Sequence, residues 1–186
     1  MTRRISALEG YYHKGVFGKK DNLSVVITEV RNLILYQVAV WPDTLNDVGK
    51  KIAESLNLPE FPEANKGFST NEVSMLRLEP LKWWVIGREI LEIAAEEGSI
   101  LDLSHSRTHI RISGKHATTL LNRHLPVDLR DVAFPVNSVA STAFHHVSIT
   151  LWRSKKGYEL FLPRAFALSL WEVLLETAAQ FGYEIK

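Results

Sequence analysis

Between Gly98 and Leu129 the hydrophobic period of the chain changes once, and that change restricts the fold more than any other feature. Ile100, Leu101 and Leu103 make a short apolar run ending at Ser104, which suits a buried strand. Thr108, Ile110 and Ile112 then alternate with His109 and Arg111, the period of two of a half-buried strand. Ser113-Gly114 turns the chain. Ala117, Leu120, Leu121 and His124 follow at helical spacing, and Pro126 stops the helix. Strand, turn and helix in that order predict a sheet with a helix packed on it.

The flanking segments repeat this alternation. Leu23 to Val30 and Leu33 to Trp41 are β-rich runs, and Arg31-Asn32 between them reads as a hairpin turn. Pro42 and Asp43 open a helix with Asp43 as N-cap candidate and Leu45, Val48, Ile52 and Leu56 as its apolar stripe. LNLPEFPEANKG breaks that helix. Glu72 to Glu79 and Lys82 to Ile86 read as strands. Arg88 to Glu97 reads as a helix, with Ile90, Leu91, Ala94 and Ala95 inward and Gly98 beyond its end. Glu96 and Glu97 would oppose that helix's dipole by about a few tenths of a kcal/mol.

Downstream, Ser138 to Phe144, Val147 to Trp152 and Tyr158 to Leu162 predict a meander, with the last turn at Lys155-Lys156-Gly157. Pro163 then starts a helix whose Phe166, Leu170, Trp171, Leu174, Leu175, Ala178 and Phe181 line one face, with Gly182 at its end. The element order reads as α+β, with two sheet-and-helix halves at about 23–98 and 99–186 of one domain. Residues 1–22 read as an amino-terminal tail. Gly10, Gly15 and Gly18 interrupt it, while Tyr11, Tyr12 and Phe17 are apolar enough to pack on the chain's own domain or on a partner subunit.

Bulk properties remove several function classes. A formal net charge of +1 gives no basic face for nucleic acid. No apolar run is long enough to cross a bilayer, and MTRRISALEGYYH lacks the apolar stretch of a secretory signal. The chain has no cysteine, which excludes disulfides, thiolate catalysis and cysteine-ligated metal. The default location is the cytoplasm.

None of the local constellations makes a catalytic, cofactor or metal site. His105 and His109 flank a strand in which four residues span roughly 13 Å, too far for one ion. Adjacent His145 and His146 would point to opposite faces of a strand. His116 and His124 would stand two helical turns, about 12 Å, apart. No phosphate loop occurs: Ile112-Ser113-Gly114-Lys115 is a turn with one glycine. Asp102, Ser104 and His105 lie too close in sequence to form a relay, so Asp102 and Ser104 are read as bonding nearby backbone groups. Trp83 and Trp84 alternate on a strand, so one of them is expected to leave the core as a partner contact, while Trp152 and Trp171 are read as core. Arg153, Lys155 and Lys156 read as a solvated hairpin tip.

The Asp-Leu-Ser-His element at Asp102–His105, the alternating strand, the Ser-Gly turn and the helix resemble the aminomethyltransferase (glycine cleavage T protein) family of tetrahydrofolate-binding proteins. AFHHVSITLWRSKKGYELFLPRAFALSLWEVLLETAAQFG resembles the carboxy-terminal half of the gamma subunit family of heterotetrameric sarcosine oxidase. LRLEPLKWWVIG and the leader SALEG resemble the same family. The resemblance implies a folate-binding-type domain of duplicated halves. It also implies a complex that oxidatively demethylates sarcosine to glycine, using NAD and tetrahydrofolate on its alpha subunit, FAD and FMN on beta and zinc on delta. The gamma-type chain would be a non-catalytic member packing on alpha. In the aminomethyltransferases an aspartate lies near the folate's reacting nitrogens. The segment that looks equivalent, Phe144-His145-His146-Val147, has no carboxylate, and Leu162-Pro163-Arg164 replaces the family's later Asn-Ala-type segment. The resemblance therefore implies a kept scaffold without the folate site. Two alternatives stand beside it. One is a free-standing tetrahydrofolate-binding enzyme of the aminomethyltransferase type, which would carry a further domain not expected after Lys186. The other is a folate-scaffold chaperone of cluster or cofactor assembly, for which the lack of cysteine is unfavourable.

Overall fold

The structure is a computed structural model that describes residues 4–19, 23–90 and 92–186. Its strands are β1 (Gly15–Phe17), β2 (Val25–Glu29), β3 (Leu35–Val40), β4 (Gly67–Ser69), β5 (Ser74–Glu79), β6 (Lys82–Ile86), β7 (Gly98–Asp102), β8 (Arg107–Ser113), β9 (Val139–Phe144), β10 (Val147–Ser154), β11 (Gly157–Pro163) and β12 (Tyr183–Ile185). The helices are α1 (Leu45–Ser55), α2 (Ala117–Leu121) and α3 (Ala167–Ala178). The described residues thus form two sheets, one mixed and one antiparallel, with few helices. The chain forms two compact units, one of Met1–Arg31, Ser106–Val136 and Ser141–Lys186, the other of Asn32–His105 and Asn137–Ala140.

In the first unit a seven-stranded sheet runs β1-β12-β2-β8-β11-β10-β9, parallel only between β12 and β2. The register Tyr158↔Ile112, Glu159↔Arg111, Leu160↔Ile110, Phe161↔His109 sorts β8 and β11 into two faces. One face carries Ile110, Ile112, Tyr158 and Leu160. The Tyr158 hydroxyl meets Thr118 of α2 at 2.8 Å, so this is the face that α2 covers. The other face carries His109, Arg111, Glu159 and Phe161. The described part of the amino-terminal segment packs on its own unit. Leu8 is fully buried, Tyr12 stacks on Trp171 with ring centroids 5.5 Å apart, and Phe17 stacks on Tyr183 at 5.3 Å.

The second unit has a five-stranded sheet, β4-β5-β6-β3-β7. Its core joins Val38, Val40, Val48, Ile52, Ala53, Met75, Trp83 and Val85, so the apolar stripe of α1 lands where its spacing pointed. Gly49 is required in that helix, because a Cβ there would stand 2.7 Å from the Phe61 ring.

Several expectations need correction. β2 and β3 are not a hairpin: β2 lies between β12 and β8, and β3 lies between β6 and β7. Arg31 and Asn32 are the last and first residues of different units, and Asn32 takes a φ of 57°, which an asparagine tolerates. Asp43 is not the cap of α1. Thr44 stands at that position, and its hydroxyl reaches the Glu97 carbonyl at 2.7 Å instead of the helix amides. Residues 88–97 form no helix; Leu91 lies outside the described residues. Ile90 and Ile93 pack on the second unit's core while Ala94 and Ala95 stay exposed, so burial of two isoleucines overrides helix propensity. Glu97 accepts the Ala94 N–H at 3.0 Å and pairs with Lys51 at 3.7 Å, so no helix dipole opposes it. The run Ile100-Leu101 is a sheet edge, with Leu101 54 % exposed. Strands β1, β4 and β12, three residues each, had no periodicity to give them away.

Truncating the buried indole and removing the nominal cap give opposite outcomes. Trp83→Ala is expected to lose about 3–5 kcal/mol, because Trp83 is wholly buried against Phe61. Asp43→Ala is expected to stay within about 0.5 kcal/mol of the parent. Urea unfolding followed by far-ultraviolet circular dichroism measures both, and a loss near 1 kcal/mol for Asp43→Ala would restore it as a cap.

Candidate functional site

On the sheet face opposite α2, Glu159 is fully buried and makes three side-chain bonds. Its Oε2 meets His109 Nε2 at 2.7 Å, and its Oε1 accepts from Arg111 Nε at 2.7 Å and from the Ser154 hydroxyl at 2.7 Å. The register explains the convergence. Arg111 is directly across from Glu159 on β8, His109 is two residues along on the same face, and Ser154 comes from the β10 side of β11. His109 stacks on Phe161 with ring centroids 4.4 Å apart.

The electrostatics follow from burial against pairing. Burial alone would push the Glu159 carboxyl up; the hydrogen bond from His109 together with the hydrogen bond and charge of Arg111 outweighs it and holds the group below the usual carboxylate range. For His109 burial dominates and lowers the pKa, the contact with Glu159 offsets part of this, and Arg111 adds to the lowering. Because Arg111 already neutralises the carboxylate, a protonated His109 would be a net buried charge. The ring is therefore neutral, with Nε2–H donated to Glu159 and Nδ1 left as a bare acceptor. Nδ1 is buried and has no hydrogen-bond partner. Chemically the arrangement pins a carboxylate instead of presenting it: a group held ionised by three donors is a poor proton acceptor.

A second cluster gathers histidines in the first unit. His124 packs on Phe144 at 4.8 Å and on His145 at 5.5 Å, centroid to centroid, and neither of its ring nitrogens has a hydrogen-bond partner. Burial lowers its pKa, with His145 and Arg123 adding to the effect. His116 packs separately against Phe181 at 5.4 Å. His116 and His124 do not share a helix, because α2 ends at Leu121. His145 and His146 lie in the turn between β9 and β10, not on a strand, and His145 has a φ of 51°. Among the described residues no group of three or more His, Cys, Asp or Glu side chains is placed to hold a metal.

The remaining candidates have structural partners. Asp102 Oδ1 accepts the Ser104 N–H at 2.8 Å, and the Ser104 hydroxyl accepts the Leu35 N–H at 2.9 Å, as expected of strand-end backbone bonding. His105 is exposed, as is Lys115 after the Ser113-Gly114 turn. Gly114 has a φ of +103°, and its place would bring a Cβ to 2.5 Å from the Ser24 carbonyl oxygen, so the turn is built for close backbone approach. Arg153 does not belong to a solvated tip. It pairs with Asp131 at 2.6 Å and lies over the Tyr158 ring, while Lys155 and Lys156 are exposed.

Trp83 and Trp84 are both buried, at 0 and 3 % exposure, so neither is the expected partner contact. Trp83 enters the core of the second unit, and Trp84 donates its Nε1–H to Gln37 at 3.2 Å on the other face of the sheet. Trp152 and Trp171 are buried as read. The exposed indole is Trp41, at 56 %. Sequence reasoning missed it, and it missed Glu159. The signal for Glu159 was present: a carboxylate inside the apolar strand Tyr158–Leu162 demands a buried partner.

The chain is similar to curated proteins named sarcosine oxidase subunit gamma. It is 31 % identical over 125 residues to the one from Corynebacterium sp. (strain P-1), matching 62 % of each chain. To the one from Arthrobacter sp it is 31 % identical over 91 residues, matching 49 % of this chain and 45 % of that one. The match thus spans less than two thirds of these relatives' length. Among solved structures it is similar to a chain of heterotetrameric sarcosine oxidase from Corynebacterium sp. U-96 in complex with pyrrole 2-carboxylate, with a TM-score of 0.78 at 19 % identity over 96 % of both chains. It is also similar to the glycine cleavage system aminomethyltransferase T from Bartonella henselae, with a TM-score of 0.57 at 13 % identity over 89 % of this chain and 48 % of that one. No protein-family model matches the chain. The two resemblances read from the sequence therefore hold.

Glu159→Ala is expected to lose about 3–5 kcal/mol, since it strands Arg111 and His109 without their shared anion. His109 gives the pH dependence. Its folded pKa lies below its unfolded value of about 6.5, so its contribution is complete above that pH and is lost as pH falls toward the folded value. His109→Gln is expected to flatten the fall of stability below about pH 6.5, and an unchanged slope in urea titrations across that range would show that His109 is not the titrating group.

Proposed function

We propose that this chain is a gamma-type, non-catalytic subunit of a heterotetrameric sarcosine oxidase, with a structural role in a complex that oxidatively demethylates sarcosine to glycine. The observation that carries the reading is the pair of similarities at full fold coverage and at sequence level to proteins of that assembly. Its partners in this reading are the alpha, beta and delta subunits, with alpha as the contact. FAD, FMN, NAD, tetrahydrofolate and zinc belong to those partners, and this chain is assigned no catalytic, cofactor or metal residue. The reading puts the protein in the cytoplasm. Among the described residues no helix is long and apolar enough to cross a membrane.

The site geometry supports the same reading. Glu159 is committed to Arg111, Ser154 and His109, so the buried carboxylate of this face serves the sheet and not a substrate. The alternative, a free-standing tetrahydrofolate-binding enzyme of the aminomethyltransferase type, is not favoured by the curated relatives, all of which carry the subunit's name.

We read the fold as a duplicated, folate-binding-type plan. In one unit β3 is followed by α1 and by the meander β4-β5-β6, whose last strand returns beside β3. In the other β8 is followed by α2 and by β9-β10-β11, whose last strand returns beside β8. This common order supports duplication without requiring that the cut fall near residue 98.

Purified alone, the chain is expected to have no sarcosine oxidase activity and no flavin absorption, and not to bind tetrahydrofolate at micromolar concentration. Affinity purification from its native host is expected to bring down three further subunits with flavin. Micromolar tetrahydrofolate binding by the isolated chain would favour the enzyme alternative, and a chain that co-purifies with no flavoprotein would end the subunit reading.

A further inference from the structure

Among the described strands, those at the ends of the two sheets differ in what they leave open. On β4 the outer side is taken: Lys66 bridges to Ser138, the Gly67 N–H donates to the Asn137 carbonyl at 2.8 Å, and the Val139 N–H donates to Asn65 at 2.8 Å. Strand β7, at the other end of the same sheet, pairs only with β3. Natural sheets blunt such an edge with proline, lysine or a bulge. Gly98-Ser99-Ile100-Leu101-Asp102 contains none of the three, and its register with β3 is continuous.

The direction of the edge groups can be read from the hydrogen bonds that bracket the strand. The Trp41 N–H donates to the Glu97 carbonyl at 3.3 Å, and the Leu103 N–H donates to the Leu35 carbonyl at 2.8 Å. Pairs alternate in an antiparallel ladder, so 97, 99, 101 and 103 bond toward β3. Ile100 lies between them opposite Val38, and its N–H and C=O point away from the sheet. Leu101, 54 % exposed, follows this open peptide, and Trp41, 56 % exposed, lies across from Glu97 just before the strand. The indole is held at the head of the strand by its Nε1–H, which donates to the Ala95 carbonyl at 3.3 Å.

The flanking segment is predominantly acidic. From Arg88 to Asp102 there are five carboxylates, Glu89, Glu92, Glu96, Glu97 and Asp102, against one arginine. Glu97 is paired with Lys51, and the Arg88 guanidinium is turned to the Ser55 carbonyl at 3.4 Å. Glu89, Glu92, Glu96 and Asp102 are exposed. The Tyr36 phenol, across from Asp102, has its pKa raised by burial first and then by the negative charges of Asp102 and Glu89, which fits two carboxylates gathered at this end of the edge.

We propose that the β7 edge is a docking site for an extended, basic segment of another polypeptide, added as a further strand beside Gly98–Asp102. The added strand would bond the Ile100 peptide, cover Leu101 and Trp41 with its apolar side chains and place its lysines or arginines against the flanking carboxylates. This names a surface for the assembly reading, but its test uses none of the other subunits, so the two stand or fall separately.

The probe is a short blocked peptide of alternating lysine and valine, with its glutamate-valine counterpart as control, titrated into the full chain. The lysine peptide is expected to bind, to weaken as salt is raised, and to slow hydrogen exchange at the Ile100 amide. Ile100→Pro removes that donor and is expected to weaken binding by about tenfold or more. Leu101→Lys, an exposed change that leaves the fold intact, is expected to weaken it as well. Equal binding of the glutamate peptide, unchanged exchange at Ile100, or full binding by Leu101→Lys would each overturn the proposal. So would a concentration-dependent dimer in sedimentation velocity that already protects Ile100 without peptide, because a second copy would then be the occupant.

Discussion

The pairing of β8 with β11 places a buried carboxylate and a buried imidazole beside a partly exposed guanidinium on one sheet face. A slip of β11 by one residue would turn Leu160 to that face and bring Glu159 under α2, away from Arg111, so this register is specified by charge as well as by the hydrophobic pattern. Glu159 is the centre of the constraint. Burying it alone would cost several kcal/mol, and only the combined donors of Arg111, Ser154 and His109 make the arrangement tolerable. Ser154 and Glu159 also tie β10 to β11 through side chains near the Lys155-Lys156-Gly157 turn, where the ladder ends.

How much of this the sequence announced depends on where the information lay. Strands with their own period, β5, β6, β8, β10 and β11, were legible, and so were the stripes of α1 and α3, because local pattern and tertiary burial agree there. Residues 88–97 were misread because Ile90 and Ile93 at near-helical spacing satisfy two templates, and packing on the second unit's core chose the irregular one. The short strands β1, β4 and β12 exist only through their neighbours, which no local signal carries. The supposed hairpin at Arg31-Asn32 failed for a related reason: two adjacent β-rich runs imply pairing by prior alone, and here each finds a better partner elsewhere.

The candidate site was legible where its bonding is local and not where it depends on strand register. The strand-end bonding of Asp102 and Ser104 followed from residue type. The His109–Glu159 pair is fifty residues apart in sequence and depends on a strand register that was not predicted. The tryptophans show the limit of alternation as an argument. Opposite faces of a strand imply one buried and one exposed residue only when one face of the sheet is bare, and Trp84 at 3 % exposure shows that its face is not.

Likeness of fold to an aminomethyltransferase does not carry that enzyme's chemistry with it, since fold and function are separable. What distinguishes the two sheets of this chain is how they end. Beyond β8 the first sheet continues through β2, β12 and β1, and the amino-terminal residues close over it: Tyr12 accepts the Glu29 N–H at 2.9 Å and donates to the Lys186 carbonyl at 2.5 Å. Beyond β3 the second sheet has β7 alone. The buried Glu159 carboxylate is spent on the register of its own sheet, whereas the Ile100 peptide of β7 is left open beside an acidic segment. That contrast arises from strand order and register.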